Sequence, residues 1–195
     1  MSSKKYEMDM CSGALFPKIV AFTFPLIASS VLQLMFNAAD MVVVGRFVGS
    51  RALAAVGSTT ALTHFIINLF VGLSVGAGVV TANYFGAGAD KEISETVHTS
   101  MMLCIAGGII LMIIGLLVSR PALVFMATPD DVIDQSVLYI RIYFLGIPGL
   151  LAYNFGSAIL RAIGDTRRPM YFLFAAGVIN ALCNLFFVLV LGRGV

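Results

Sequence analysis

The sequence predicts an all-α fold, a polytopic transmembrane helix bundle, and two observations carry that prediction. Of the 195 residues, 59% are hydrophobic and only 11% are charged, whereas charged residues make up about 25% of an average soluble domain. This composition excludes an ordinary soluble domain, and it excludes a disordered chain, which requires low hydrophobicity. The charges also leave five long charge-free intervals, at 19–39, 52–89, 96–119, 142–160 and 169–192.

Each charge-free interval predicts one membrane-spanning helix, because about 20 apolar residues cross a hydrocarbon core of roughly 30 Å. The second interval is too short for two spans and a turn, so it predicts one long helix. No linker or second soluble domain is evident, and residues 1–195 are predicted to form a single transmembrane domain. The predicted spans are about 16–44, 55–84, 94–118, 132–161 and 168–192.

The basic residues predict that the N-terminus lies inside, since Lys and Arg concentrate in cytoplasmic loops. In that orientation seven of the 12 Lys and Arg residues fall in inner segments. Arg161, Arg167 and Arg168 form the densest inner group, in the loop between the fourth and fifth helices.

Several function classes are disfavoured by what the chain lacks. A net charge of +2 provides no electrostatic footprint for nucleic acid. The three cysteines are widely spaced and odd in number, which does not indicate a disulfide framework or a zinc site. His64 is isolated, and His98 follows Glu92 and Glu95 at what we interpret as a solvated helix start. With no phosphate loop, HExxH or GxSxG motif, we expect neither an enzyme nor a cofactor.

The first helix carries a polar stripe. Ser29, Gln33, Asn37 and Asp40 are spaced by four, four and three residues, which places them within an arc of roughly 80°. Asp40 has apolar residues on both sides along the chain, and an acid within a span is a candidate for binding a proton or a cation. The alternative is that Asp40 only caps the outer end of the helix near Gly45.

The fifth helix offers two amides on one face, Asn180 and Asn184, with Gly177 one turn earlier. Amide oxygens can coordinate a cation, and amide nitrogens can donate hydrogen bonds to a carboxylate. Gly177 permits a neighbouring helix to approach the backbone closely. The alternative is interhelical hydrogen bonding, worth about 0.6 kcal/mol per bond. The residues alone leave both interpretations open.

Two prolines fall within predicted spans, Pro25 in the first and Pro148 in the fourth. Proline removes a backbone hydrogen bond and bends a helix, and broken helices are common where transporters bind their substrates. A fixed kink that serves packing is the alternative at both positions. In the second helix, Gly72, Gly76 and Thr81, together with Gly78, are predicted to form a small-residue ridge, with Gly72 and Gly76 as a contact face.

Four segments resemble the multidrug and toxic compound extrusion (MATE) transporters. They are Phe24-Pro25-Leu26 leading to Asn37-Ala-Ala-Asp40-Met-Val-Val-Val-Gly45-Arg46, then Ala52-Leu-Ala-Ala-Val-Gly57, Tyr84-Phe-Gly-Ala-Gly88, and Leu160-Arg161-Ala-Ile-Gly164-Asp165-Thr166-Arg167-Arg168-Pro169-Met170. The four matches occur in order and span nearly the whole chain.

This resemblance implies an antiporter of twelve helices in two six-helix lobes, which exports bulky cationic or aromatic compounds against H⁺ or Na⁺. It implies that Asp40 is the coupling acid, faced by Asn180 and Asn184, and that Tyr139 and Asn154 are the fourth-helix members of the network. A Na⁺ site would then use Asp40, Asn180 and Asn184. Some branches of the family carry a second acid on helix five, where this chain has only amides.

The resemblance also implies that residues 1–195 form most of an N-lobe, without helix six and without the C-lobe. The expected function is secondary active multidrug efflux across a bacterial-type inner membrane. The expected partners are drugs or toxic cations, the lipid bilayer and the missing second lobe. One alternative is a related flippase for lipid-linked oligosaccharides or polysaccharides, disfavoured because Arg141 is the only basic residue near a span interior. Another is a non-transporting membrane fragment.

Overall fold

The computed structural model describes residues 13–43 and 50–189, except for a few side chains near the ends of these ranges and in the first turns of the second helix. Within these ranges the chain forms five α-helices. They are α1 (Leu15–Val43), α2 (Ser50–Gly86), α3 (Asp90–Phe125), α4 (Ile133–Ala162) and α5 (Arg167–Leu189).

Each predicted span coincides with one of these helices, so the all-helical prediction is confirmed. Four of them have the length and apolar composition to cross a membrane: α1, α2, α3 and α4. The predicted ends of the first and fifth spans, at 44 and 190–192, lie outside the described residues. The inside location of the N-terminus stays a prediction.

The helices extend beyond the predicted hydrocarbon spans. α2 begins at Ser50 and not near 55, and α3 runs to Phe125 and not to 118. A helix of 36 residues is about 54 Å long at about 1.5 Å per residue, well beyond a roughly 30 Å core. Charges such as Arg120 therefore end the apolar span without ending the helix, because the helix continues where the charge is solvated.

The helices divide into two packed groups. α4 packs extensively against both α2 and α3, which also contact each other, while α1 makes its extensive contacts with α5. α4 touches α5 at only a few residues. The described part of the chain is therefore a three-helix cluster of α2, α3 and α4 beside an α1–α5 pair.

The core runs along one face of α4. Its buried residues repeat every three or four positions, the spacing that lets one helix pack its side chains between those of a neighbour. They meet Cys104 and Leu123 of α3. The members on α4 are Ile133, Val137, Ile140, Phe144, Ile147, Leu151 and Phe155.

Glycines of α3 allow it to approach α4 closely. The Phe144 ring occupies the space where a side chain at Gly115 would be. A Cβ atom built on Gly108 would lie 2.9 Å from the Cα of Pro148. Side chains larger than hydrogen are therefore excluded at both positions unless the two helices move apart.

On α2 the predicted small-residue ridge is packed at Gly78 and Thr81 but not at Gly72 and Gly76. Nothing lies within 4 Å of a Cβ built on Gly72 or Gly76, whereas one built on Gly78 lies 3.2 Å from the carbonyl oxygen of Ala158. The packed side of α2 is the one that carries Gly78 and the buried Thr81. Spacing identified small residues that could pack, and the position of α4 selected Gly78 among them.

The turn before α5 is organised around Asp165, which is only 1% exposed. Gly164 adopts a φ of 87°, a left-handed conformation that suits glycine at a helix C-terminus. Asp165 Oδ1 then accepts the backbone N–H groups of Arg167 and Arg168, each at 3.1 Å. Arg168 Nε lies 3.1 Å from Asp165 Oδ2, so one carboxylate caps α5 and pairs with its first turn.

Candidate functional site

Asp40 and Tyr139 come together at one end of the bundle. Asp40 lies in the last turn of α1 and Tyr139 in the second turn of α4, and both side chains are half-buried. The charge of Asp40 acts electrostatically on the Tyr139 phenol. Two predicted site residues, about 100 positions apart in sequence, are therefore within electrostatic range of each other in the fold.

Tyr143 extends this site along α4. The Tyr139 and Tyr143 rings stack with their centroids 6.5 Å apart and their planes at 28°, within the usual range for aromatic pairs. Tyr143 packs against the buried core, so it joins the exposed end of the site to the interior. It was not among the predicted site residues, although its i,i+4 spacing from Tyr139 was a signal for it.

Asn154 lies too far from Tyr139 to share an ion with it. Both residues are on the unbroken helix α4, and fifteen residues correspond to about 22 Å at about 1.5 Å per residue. The Asn154 Nδ2 donates to the Leu150 carbonyl oxygen of its own helix at 2.9 Å. Asn154 and Tyr139 therefore cannot contact one ion together, because helix rise alone separates them, and the part of Asn154 in the network stays a prediction.

The contact between α1 and α5 sets the depth of Asn180. The Phe36 ring lies over Gly177, which confirms the close approach expected at that glycine. Because short connections join successive helices, α1 and α5 run in the same direction. One turn beyond this contact lie Asp40 on α1 and Asn180 on α5, at similar depth. Asn180 is exposed and takes part in a polar interaction; the Asn184 side chain lies outside the described residues.

The rest of the α1 stripe divides into bonded and exposed residues. Ser29 Oγ donates to the Pro25 carbonyl oxygen at 2.7 Å. Gln33 and Asn37 are exposed, which places their amides on a surface of the described chain and not in the α2–α4 core. The stripe therefore leads along α1 from Pro25 towards Asp40.

Comparisons with known proteins identify the family of this chain. The MatE family model matches residues 25–186. The chain belongs to the MATE family. It is 33% identical over 159 residues to the probable multidrug resistance protein YoeA of Bacillus subtilis, which covers 82% of this chain and 34% of YoeA. It is 29% identical over 189 residues to the probable multidrug resistance protein YpnP of the same bacterium, covering 96% of this chain and 42% of YpnP.

Solved MATE structures have the same helix arrangement. A crystal structure of MATE in complex with MaD3S superposes with a TM-score of 0.85 at 26% identity, over 91% of this chain and 40% of the other. A MOP superfamily transporter from Pyrococcus furiosus matches with a TM-score of 0.85 at 26% identity, over 91% of this chain and 39% of the other. The MATE chain thus spans about 34–42% of the length of the relatives named here.

Family membership and the four apolar helices make this a multi-pass membrane protein, and its bacterial relatives place it in a bacterial-type inner membrane. MATE proteins are transporters, so the family is not one of enzymes. Among the described residues no group of three or more His, Cys, Asp or Glu side chains could hold a metal ion. A hard cation at Asp40 would therefore need neutral oxygens from amides, hydroxyls or the backbone.

Both prolines of the MATE chain lie within continuous helices. α1 continues through Pro25, and α4 continues through Pro148. Pro148 packs tightly against Gly108 of α3, which favours the packing interpretation there. Pro25 is buried but lines a groove of about 700 Å³ between α1 and the start of α5, so its surroundings are less close-packed.

Two grooves among the described residues of the MATE chain are lined by residues other than Asp40. The first, beside Pro25, is mainly apolar and has Arg167 at its edge. The second, of about 640 Å³, lies between α2 and α3. Asp40 lines neither of these two grooves.

Arg141, the basic residue predicted near a span interior, is engaged by α3. Its Nε donates to Ser119 Oγ at 3.1 Å, and Ser119 is only 1% exposed. The guanidinium therefore ties α4 to α3 and is directed away from the α1–α5 pair.

Proposed function

We propose that the protein carrying this chain is a MATE-type efflux transporter that exchanges cationic or aromatic compounds for H⁺ or Na⁺, with Asp40 as the coupling carboxylate. The observation that carries this proposal is the position of Asp40, half-buried beside Tyr139 and level with Asn180. Because the chain covers under half of its relatives' length, transport itself is assigned to the whole protein.

The packing suggests how an ion at Asp40 acts. α1 is held to α5 through Phe36 and Gly177 but makes few contacts with the α2–α4 cluster. Asp40 is the charged group of α1 that reaches across to α4, through Tyr139. Protonation or Na⁺ binding neutralises that charge and so changes the free energy of the α1–α4 contact without disturbing the core.

Coupling then follows from linkage between two ligands. If the ion and the exported compound favour different positions of the α1–α5 pair, binding of one lowers the affinity for the other. The exposed amides of Gln33 and Asn37 would line the path beside α1. Tyr139 would supply a hydroxyl and Asn180 an amide to the bound ion, while Asn154, about 22 Å away, would act only on the substrate side.

The charges in this region favour a cationic over an anionic substrate. A flippase for pyrophosphate-linked sugars requires basic groups facing its path, and Arg141 is committed to Ser119 of α3. The described part of the α1 stripe presents one carboxylate and no base. The charges therefore disfavour flipping of lipid-linked sugars, which the experiment below also tests.

The test is extrusion of ethidium from cells that express the whole protein containing this chain. Asp40→Asn should reduce active extrusion by about a hundredfold, as expected when a coupling of about 2–3 kcal/mol is lost. The matched control is Asp134→Asn, which removes an acid whose side chain is 80% exposed at the start of α4 and should leave extrusion unchanged.

The same cells distinguish the ions. Extrusion that stops with a protonophore but not with Na⁺ removal assigns H⁺, and the reverse assigns Na⁺. Wild-type extrusion by Asp40→Asn would refute the assigned role of Asp40. Absence of ethidium extrusion together with flipping of a lipid-linked oligosaccharide would replace efflux by the alternative function.

A further inference from the structure

The groove between α2 and α3, called here the α2–α3 groove, is remote from the proposed coupling site. It has a volume of about 640 Å³, within the usual range for ligand sites of about 300–1,000 Å³. Its walls come from α2, α3 and Phe155 of α4, and it is not lined by residues of α1 or α5. Nothing in the proposed transport cycle uses it.

One wall of the groove is polar at the end where α3 begins. Glu92, Glu95, Thr96, Thr99 and Ser100 all line it. Their spacing of three, one, three and one places them on a single face of α3. The two carboxylates lie at the mouth and the three hydroxyls lie further along the helix.

Ser100 is the most enclosed of the polar residues on this wall. The residue is only 7% exposed and lines the groove, yet its hydroxyl forms no hydrogen bond with any described residue. Two other buried hydroxyls of the described bundle are bonded within their own helices: Thr63 donates to the Thr60 carbonyl oxygen at 3.0 Å, and Thr81 donates to the Ala77 carbonyl oxygen at 2.8 Å. The Ser100 oxygen is not among the fully buried oxygens that lack a partner, so it is accessible from the groove and available to bond a molecule there.

Beyond Ser100 the groove becomes apolar. Leu103 and Gly107 continue the α3 wall, opposite Phe70 and Gly76 of α2. From Glu92 to Gly107 the wall extends about 22 Å at about 1.5 Å per residue. This equals the thickness of one leaflet with its headgroups, about 20–22 Å, and the polarity changes along the wall as it does across a leaflet.

We propose that the α2–α3 groove binds a membrane phospholipid with an amine headgroup. The ammonium lies between the carboxylates of Glu92 and Glu95. The phosphate or ester oxygens accept hydrogen bonds from the groove hydroxyls, including Ser100. One acyl chain follows Leu103 and Gly107. A compact organic cation would satisfy the carboxylates but would leave the apolar half of the groove empty, which is why a lipid fits better.

The orientation of the chain in the membrane determines which leaflet supplies the lipid. With the N-terminus inside, as the basic residues predict, α2 ends and α3 begins at the inner surface, so the site draws from the inner leaflet. The proposal depends on the chain crossing a membrane and not on efflux. Its test therefore uses binding, and it can fail while the efflux proposal stands.

The first experiment measures headgroup selectivity by native mass spectrometry of the delipidated chain in detergent. Dioleoyl phosphatidylethanolamine and dioleoyl phosphatidylglycerol are added separately. We expect phosphatidylethanolamine to bind more tightly, and Glu92→Gln with Glu95→Gln to weaken it about tenfold, as for loss of a charge-assisted contact. The control is Asp90→Asn, which removes an exposed acid of the same turn that does not line the groove and should change nothing.

A second pair of variants tests the apolar half. Gly76 and Gly72 are one turn apart on α2, and a Cβ on either meets nothing within 4 Å, so both should accept a large side chain without disturbing the core. Only Gly76 lines the groove. Gly76→Trp should therefore weaken phosphatidylethanolamine binding at least as much as the carboxylate variant, while Gly72→Trp should bind like the parent.

Ser100→Ala provides a milder change that keeps the fold, and we expect it to weaken binding about threefold, as for one neutral hydrogen bond. Equal binding of the two phospholipids by the parent would overturn the headgroup assignment. Unchanged phosphatidylethanolamine binding by Gly76→Trp would overturn the assignment of the lipid to the α2–α3 groove. Tetraphenylphosphonium is added as a compact competitor: tighter, groove-dependent binding of this cation than of phosphatidylethanolamine would overturn the choice of a lipid.

Discussion

The close approach of α3 and α4 predicts that Gly→Ala substitutions will have opposite signs at two positions of this bundle. At Gly108 a new Cβ lies 2.9 Å from the Cα and 3.3 Å from the Cβ of Pro148. Optimal carbon–carbon separation is about 3.5–4.0 Å, so the helices must part by roughly 0.6–1 Å. At Gly72 a Cβ meets nothing within 4 Å, and only the backbone effect remains.

The magnitudes follow from these two terms. Gly→Ala within a helix is favourable by about 0.5–1 kcal/mol, and we expect Gly72→Ala to gain that amount. Overpacking a tight contact costs about 1–3 kcal/mol. The clash at Gly108 is with backbone, which cannot rotate away as a side chain can. Gly108→Ala should therefore lose about 1–2 kcal/mol net, once the propensity gain of about 0.5–1 kcal/mol is included.

The measurement is reversible unfolding in mixed micelles, followed by far-ultraviolet circular dichroism as the mole fraction of dodecyl sulfate is raised. Both variants should retain the parent's helical content before unfolding. A Gly108→Ala variant as stable as Gly72→Ala would show that α3 and α4 do not pack at Pro148 as described. Equal destabilisation by the two substitutions would show that the Gly108–Pro148 contact does not determine the change in the free energy of unfolding.

The ion pairs differ sharply in what their loss should cost in the same unfolding assay. Asp165→Ala removes a buried carboxylate that accepts two backbone N–H groups of α5 and should lower the free energy of unfolding by about 2–4 kcal/mol; a loss below about 0.5 kcal/mol would contradict its capping role. Arg120→Gln breaks a 3.0 Å pair with Asp134 whose side chains are 60% and 80% exposed, and it should change stability by less than about 0.5 kcal/mol; a larger loss would mean that this pair is shielded from solvent.

Much of the secondary structure could be predicted from the spacing of the charged residues alone. An unpaired charge is costly in hydrocarbon, so the charged residues mark where the apolar spans begin and end, and every predicted span coincides with a helix. The helix ends were less accessible. α3 passes Arg120 and Pro121 to reach Phe125, because outside the hydrocarbon neither a solvated charge nor a proline near the end of a long helix requires the helix to stop.

The candidate site was predictable in part. The stripe on α1 needed only helical periodicity, and Gly177 was expected to permit a close approach, as its contact with Phe36 confirms. The distance that keeps Asn154 and Tyr139 from contacting one ion could also have been predicted, since it follows from helix rise and the fifteen residues between them. Tyr143 was visible at i,i+4 from Tyr139 but carried no polar signal that separated it from core aromatics.

The sequence by itself determines features that repeat along a helix: which segments are helical, which faces are polar and which small residues could pack. Asp40, Ser29 and the α1 stripe belong to this class, because they depend only on neighbours along the helix. Which faces meet is a property of the whole bundle. Gly78 and not Gly72 contacts α4, and Asp40 acts on Tyr139, because helix rotation and neighbour choice are decided by packing among helices far apart in sequence.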